Sequence, residues 1–257
     1  MTHPYFIGTP HPRVLAHRGL PSADEDSAVW ENTAAAFAAA RAAGAAYIET
    51  DCRVTSDGDA VLFHDETLER LFGDPRPVAE VRTRELAELL APHGGLMTVA
   101  EALTGFPESR FNIDVKTDAA AKPLGAVIAA HAHRVLLTSF SDARRRRAVE
   151  AAIAAGAELR PAVSAGRGTI IALRLLAAVR FLPRRLLDGV DAVQIPERQG
   201  PIRVFVPSLV RAAHRAGVEV HVWTVNDAAD MRRLVDAGAD GIVTDRADVA
   251  VRALSSA

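Results

Sequence analysis

Cysteine is nearly absent. The chain of 257 residues carries one, Cys52, which excludes an internal disulfide and a zinc site built from thiolates. Lysine is almost as scarce. Only Lys116 and Lys122 occur, and arginine takes every other basic position. Charge of one sign is also lacking. Thirty Lys and Arg stand against 32 Asp and Glu, a formal net charge of −2, so nothing global draws the chain to nucleic acid or an anionic membrane. Long apolar runs are missing as well. No uncharged apolar stretch approaches the length of about 18 residues that would predict a spanning helix. The most apolar segment, Thr169 to Leu187, is interrupted by Arg174, Arg180, Arg184 and Arg185. The opening MTHPYFIGTPHP has neither the basic lead nor the apolar core of a secretory signal. A cytoplasmic setting is the expectation.

What remains is an alternation of short β-rich runs with alanine-rich helical runs. The strand candidates are Val14–His17, Tyr47–Asp51, Phe111–Lys116, Val135–Phe140, Leu159–Ser164, Asp191–Pro196, Val220–Asn226 and Gly241–Asp245. Helical segments such as TAAAFAAARAAG and DARRRRAVEAAIAAG lie between them. Gly44, Gly156, Gly217 and Gly238 stand where helices should end, at the left-handed position that glycine adopts cheaply. Eight β-α units without a composition break predict an α/β chain closed into a single parallel (β/α)8 barrel. A doubly wound open sheet would need a glycine-rich phosphate loop after the first strand, and His17-Arg18-Gly19 is not one. One domain over residues 1–257 is expected, with its barrel over about 14–251. A long insertion, about 53–110, separates the second and third barrel strands. Within it, TSDGDAVLFHDE predicts a hairpin turning on Asp57-Gly58.

The strand ends carry the polar residues. They are His17, Arg18, Glu49, Asp51, Asp114, Lys116, Ser139, Gln194, Trp223, Asn226 and Asp245. In a parallel barrel these ends converge on one mouth, the usual active-site face. Glu49 and Asp51 are two apart on one strand and share a face, and Asp114 ends the next barrel strand. Three converging carboxylates repel unless a cation intervenes. One hard divalent ion, Mg²⁺ or Ca²⁺ with Mn²⁺ as a further candidate, fits such an oxygen set and leaves positions for a phosphate oxygen. In isolation an E-x-D pair is more often an ordinary strand-end charge pair. The company of His17, His64 and Asp114 shifts the balance to a metal site. His17 and His64 form a histidine pair suited to acid–base work near neutral pH, although either alone is more often a surface or core histidine. Arg18 can fork onto phosphate oxygens, and Lys116 supplies a point charge. His3, His11, His93, His131, His133, His214 and His221 lack such context and read as structural. Asp24, Glu25 and Asp26 read as a solvated acidic run.

The strings HRG at 17–19, ENT at 31–33, ETD at 49–51 and DG…HD over 57–65 occur together, followed by the NIDVK strand and VWTVND…GADGIVTDR. In this combination, over essentially the whole chain, the sequence resembles the glycerophosphodiester phosphodiesterase family. The resemblance implies a TIM barrel that uses a divalent cation to hydrolyse glycerophosphodiesters to sn-glycerol 3-phosphate and an alcohol. It implies Glu49, Asp51 and Asp114 as metal ligands, His17 and His64 as the acid–base pair, and Arg18 and Lys116 as phosphate ligands. Asn32 then stands behind the site or binds substrate at its edge, and Trp223 lines the mouth against glycerol or the leaving group. Asp114 departs from the family's more frequent glutamate by one methylene. The substrate is expected to be a small glycerophosphodiester, with no nucleic-acid partner and no membrane contact. Two other readings keep the barrel: lysophospholipase-D-like hydrolysis of lipid phosphodiesters, suggested by the apolar Thr169–Leu187 stretch, and a non-catalytic phosphate-ester-binding barrel. A degenerate binding barrel should have lost a histidine or a carboxylate, and this chain keeps them all.

Overall fold

The computed structural model describes residues 2–22, 29–178 and 185–255. The acidic run at Asp24–Asp26 and the arginines Arg180 and Arg184 of the apolar stretch lie outside them. The strands in chain order are β1 (Arg13–His17), β2 (Tyr47–Val54), β3 (Ala60–Leu62), β4 (Arg110–Val115), β5 (Val135–Thr138) and β6 (Ala162–Val163). Then come β7 (Ala192–Pro196), β8 (Arg198–Gln199), β9 (Ile202–Arg203), β10 (Glu219–Trp223) and β11 (Gly241–Thr244). The helices are α1 (Ala34–Ala42), α2 (Glu69–Phe72), α3 (Thr83–Leu90), α4 (Val99–Gly105) and α5 (Asp118–Ile128). They continue with α6 (Asp142–Ala154), α7 (Arg167–Ala178), α8 (Pro207–Arg215), α9 (Ala228–Asp236) and α10 (Ala247–Leu254).

Parallel pairing runs in the order β6-β5-β4-β2-β1-β11-β10-β7. A parallel bridge between Ser164 and Ala192 joins the two ends of that row. Backbone bonds from Asp191 N to the Val163 carbonyl and from Ala165 N to the Ala192 carbonyl, both 2.9 Å, complete the seam. The eight expected strands are therefore the eight staves of a nearly closed parallel barrel with helices outside. The strand expected over Leu159–Ser164 is only two residues long. It begins after Pro161, which has no N–H to give a ladder. Gly44, Gly156, Gly217 and Gly238 all have φ between 73° and 99°, as their helix-ending positions require.

Alternation sets the layers. Ala- and Val-rich strand faces pack outward against α7, α8, α9 and α10 on one side of the barrel and against α4, α5 and α6 on the other. Tyr5 and Phe6 plug the barrel at its N-terminal end against Leu15, Tyr47, Leu136, Ala162, Ala192 and Val243. Beneath the site, Arg13 pairs with Glu219 at 3.0 Å, and Glu219 also binds His221 Nε2 at 3.0 Å, so His221 is a satisfied buried histidine.

The insertion between β2 and β4 has its own apolar cluster of Val61, Phe63, Leu68, Val78, Val81, Leu86 and Leu90. β3 turns back antiparallel on β2, in the register Val54 with Ala60 and Cys52 with Leu62. The turn is longer than the two residues expected at Asp57-Gly58. Thr55 N reaches the Asp59 carbonyl at 3.1 Å, leaving a three-residue loop of Ser56, Asp57 and Gly58. Among the described residues no helix is long and apolar enough to cross a membrane.

α5 and α6 approach closely at Gly125, where an added Cβ would lie 2.5 Å from the Ala148 carbonyl oxygen and 2.5 Å from Ala151 Cβ. Gly125→Ala is expected to destabilise the fold by about 1–3 kcal/mol through overpacking. The urea midpoint measures it, and an unchanged midpoint would show that the two helices part at no cost.

Candidate active site

Register assembles the site at the C-terminal mouth. His17 on β1 pairs with Glu49 on β2, and Glu49 pairs with Asn112 on β4. One layer higher, Asp51 pairs with Asp114, which pairs with Thr138 on β5. The two rows face a cavity of about 560 Å³. All the strand-end polar residues named from the sequence line it except Asn226 and Asp245, and His64 lines it from the insertion.

The three tripeptide motifs divide their labour by geometry. In HRG, His17 faces the cavity. Arg18 follows in the left-handed region (φ 57°), donating its backbone N–H to the Glu49 carbonyl at 2.8 Å. Gly19 (φ 89°) lets the chain pass over α1, because a Cβ there would meet the Ala36 carbonyl carbon at 2.8 Å. In ENT, Glu31 takes the Arg18 guanidinium at 3.0 Å, Asn32 holds the site from behind, and Thr33 caps α1 by accepting from Ala36 N at 3.2 Å. In ETD, Thr50 donates to Asn32 Oδ1 at 2.7 Å, and Asn32 Nδ2 donates to Asp51 Oδ2 at 3.1 Å. Asn32 therefore does not line the cavity. It is buried, itself at positive φ (58°), and orients Asp51.

Both cavity histidines are held by carboxylates through Nδ1. His17 Nδ1 meets Asp245 Oδ1 at 2.6 Å, and Asn226 Nδ2 donates to the other Asp245 oxygen at 2.8 Å. His64 Nδ1 meets Asp65 Oδ1 at 2.8 Å, while Arg53 Nε anchors the His64 carbonyl at 2.9 Å. Arg70 crosses from Asp65 (2.5 Å) to Glu31, which ties the insertion back to Arg18. Burial opposes a charged His17, but the Asp245 hydrogen bond and the Glu49 charge outweigh it and raise its pKa. Burial likewise works against the Asp245 carboxylate, and the bonds from His17 and Asn226 win and lower its pKa.

The carboxylates stand in unequal environments. Lys116 Nζ lies 2.8 Å from Asp51 Oδ1 and 2.8 Å from Asp114 Oδ2. Burial disfavours charge on Asp51, but Lys116 and Arg18 overcome it and hold the pKa below the ordinary range. At Asp114 burial prevails over Lys116, and the pKa rises. Burial together with the Asp51 charge pushes Glu49 up to about 7. Among the described residues Glu49 Oε2 is buried without a hydrogen-bond partner, with His17 Nε2 3.9 Å away, and Asn112 Oδ1 in the same row has none either. Orphaned buried oxygens beside further carboxylates fit a hard divalent cation by donor chemistry. A second grouping lies nearer the surface. Among the described residues, Glu31, His64 and Asp65 offer ligand atoms within 4.8 Å of one another. Arg18 and Arg70 already neutralise its carboxylates.

Sequence reasoning did not single out Asn112, Glu31 or Asp65, and it gave Asp245 no role. Alternation in FNIDV places Asn112 on the inward face with Asp114, which is a readable signal. The Arg18–Glu31–Arg70–Asp65 chain joins residues far apart in sequence and leaves no pattern. Trp223 lines the cavity half-buried, beside Thr224.

Glu49 ionises near 7 in the folded chain and near 4.5 when unfolded. Between those values the folded state binds more protons, so Glu49 lowers the stability of the cation-free protein as pH rises, by about 3 kcal/mol at most. With a chelator present, Glu49→Gln is expected to lose less unfolding free energy than wild type from about pH 5 to about pH 8. Identical slopes in denaturant titrations would refute the assignment.

A family model described as the glycerophosphoryl diester phosphodiesterase family matches residues 17–249. A relative from Mycobacterium tuberculosis, named probable glycerophosphodiester phosphodiesterase 2, is 39% identical over 241 residues, spanning 91% of this chain and 88% of that protein. The crystal structure of a glycerophosphodiester phosphodiesterase from Thermotoga maritima is 25% identical and superposes with a TM-score of 0.71, covering 95% of this chain and 99% of that one. A phosphodiesterase from Oleispira antarctica, solved with the product sn-glycerol-3-phosphate, has the same fold at 20% identity and a TM-score of 0.70, covering 95% and 97%. With the barrel, the convergent carboxylates and the paired histidines, this chain belongs to the glycerophosphoryl diester phosphodiesterase family.

Proposed function

We propose that this enzyme hydrolyses glycerophosphodiesters to sn-glycerol 3-phosphate and an alcohol, with His17 and His64 as its acid–base pair. The carrying observation is the matched pair of cavity histidines, each fixed at Nδ1 by a carboxylate, beside a buried carboxylate oxygen that accepts no hydrogen bond among the described residues. The 39% identical relative bears the same activity in its name, and the Oleispira antarctica phosphodiesterase binds sn-glycerol-3-phosphate.

A phosphodiester is anionic, and its displacement builds further negative charge. Glu49, Asp51 and Asp114 would hold one divalent cation, which when bound supplies electrostatic stabilisation of that charge. Arg18 and Lys116 place two cationic groups beside the same carboxylates and would serve the phosphate oxygens. With Nδ1 engaged, each histidine keeps Nε2 for proton transfer. One imidazole accepts the proton of the attacking hydroxyl as the new P–O bond forms. The other returns a proton to the departing alkoxide as the old P–O bond breaks. Asp245 and Asp65 fix tautomer and ring orientation throughout. Asn32 acts through Asp51, and Trp223 bounds the space for glycerol or the leaving alcohol. The whole chain would work as one barrel, with the insertion over about 53–110 delivering His64. Cys52 takes no part, since burial pushes its thiol pKa up. A cytoplasmic setting accords with a single buried free cysteine.

The test is turnover of a panel of glycerophosphodiesters with Mg²⁺, Ca²⁺ or Mn²⁺ and chemical identification of the products. Chelation should abolish activity and one of these ions restore it. Full activity after exhaustive chelation would remove the metal role. His17→Ala and His64→Ala are each expected to lower kcat by about 100-fold or more. Near-normal kcat in either, with the ion bound, would sink the pair. Asp245→Asn should lower kcat by about tenfold or more with little change in KM, because it disturbs only the orientation and charge of His17. A change confined to KM would count against that role.

A further inference from the structure

Arg70, on the short helix α2 of the insertion, joins two carboxylates with one guanidinium. Its Nε donates to Asp65 Oδ2 at 2.5 Å, and its Nη2 donates to Glu31 Oε1. The other oxygen of each carboxylate is engaged as well. Asp65 Oδ1 holds His64 Nδ1 at 2.8 Å, and Glu31 Oε2 accepts from Arg18 Nη1 at 3.0 Å. Two carboxylates are thus matched by two guanidiniums, with the imidazole of His64 beside them. Burial works against charge on Asp65, but the bonds from His64 and Arg70 prevail and hold its pKa down.

The insertion has other means of docking. Phe72, two residues after Arg70, packs on Trp30 with ring centroids 5.6 Å apart, and Trp30 stacks on His93 at 3.5 Å. Trp30, Leu71 and Phe72 all lie against the insertion's buried aliphatic cluster. Arg53 Nε holds the His64 carbonyl directly, at 2.9 Å. The Arg70 side chain is 48% exposed, and ion pairs that open to solvent add little to such an anchorage. The consequence of its two bonds therefore lies in local charge.

That charge matters because of the groups it balances. Among the described residues, Glu31, His64 and Asp65 offer ligand atoms within 4.8 Å of one another. One imidazole and two carboxylates are a donor set for a transition-metal ion such as Zn²⁺, softer than the oxygen-only set of Glu49, Asp51 and Asp114. An imidazole that binds a metal through one nitrogen no longer cycles between its neutral and protonated forms near neutral pH. Such an ion would take His64 out of acid–base work.

We propose that Arg70 is a positioning residue whose guanidinium stands in for a transition-metal ion between Glu31 and Asp65, and so leaves His64 free for proton transfer. This rests on the phosphodiesterase reading for the role of His64 and adds a residue to it. A guanidinium suits the task. It spans both carboxylates with a rigid fork, keeps its charge at every working pH, and has no lone pair to offer a metal. A lysine at the same place would keep the charge and lose the fork.

The experiment counts bound Zn²⁺ by equilibrium dialysis at saturating Mg²⁺, for wild type, Arg70→Met, Arg70→Lys and Arg70→Met/His64→Ala. Arg70→Met is expected to hold one more Zn²⁺ per chain than wild type. Arg70→Lys should hold no more than wild type, and the double variant should lose the extra ion. Co²⁺ in place of Zn²⁺ should give Arg70→Met a visible absorption band that vanishes with His64→Ala. With glycerophosphocholine as substrate, Zn²⁺ should depress the kcat of Arg70→Met at a concentration about tenfold or more below that needed for wild type, and Arg70→Lys should restore the wild-type response. Thermal melting checks folding, and Arg70→Gln replaces Arg70→Met if the latter melts early. Equal Zn²⁺ in wild type and Arg70→Met overturns the proposal. So does an extra ion that persists without His64, or one that leaves kcat untouched. If no phosphodiester turns over, the phosphodiesterase reading fails by itself, and the Zn²⁺ count still decides whether Arg70 excludes an ion.

Discussion

Two buried carboxylates share one ammonium at the centre of this protein. Lys116 sits 2.8 Å from both Asp51 and Asp114, in a chain that otherwise carries a single further lysine. Removing one partner from such a buried set typically costs about 3–5 kcal/mol, because the remaining charge is stranded. The need to balance negative charge at the barrel mouth organises what surrounds it. Arg18 is turned into the left-handed region and reaches both Glu31 and Asp51. Asn32, also strained, donates to Asp51. Glu49 Oε2 has no hydrogen-bond partner among the described residues, and burial with the Asp51 charge makes its carboxyl resist ionisation. The imbalance is the physical reason for proposing a divalent cation here.

The barrel makes this concentration of charge affordable by distributing it over independent staves. No strand contributes more than two of the carboxylates, and parallel register sets their heights. Below them, the apolar plug of Tyr5 and Phe6 and the Arg13–Glu219–His221 set tie the stave ends together. Above them, the insertion supplies what the staves cannot. Its cluster of buried aliphatics fixes Phe63 and therefore His64, and Arg70 fastens it to Glu31. The two histidines thus reach one cavity from opposite kinds of support, one from a strand end and one from an excursion, with the same carboxylate anchor on each.

The cavity is chemically divided. Hard oxygens and cations lie at the ends of β1, β2 and β4, and aliphatic side chains line α7 and the β8–β9 hairpin. A hydrophilic glycerophosphodiester satisfies the first region and leaves the second facing water.

Much of this was determined by sequence alone. Alternating strand and helix signals, with glycine closing four helices, specify the barrel. Two-residue spacing puts Glu49 and Asp51 on one face, and the joint HRG, ENT, ETD and HD motifs identify the family. Local patterns suffice there because backbone periodicity and turn chemistry act over a few residues. Tertiary structure decided the rest. Of the two places the sequence left open for Asn32, the fold chose the one behind the site, against Asp51, and the Asp57-Gly58 turn lengthened to three residues. Asp245 became the partner of His17 across 228 positions of sequence. Arg18, Glu31, Arg70 and Asp65 closed into one chain of ion pairs, and α7 acquired a second apolar face that lines the cavity. Hydrogen bonds, ion pairs and exposure depend on which groups the closed barrel brings within a few ångströms. That proximity is a property of the register and of the closure, and no local run of residues encodes it.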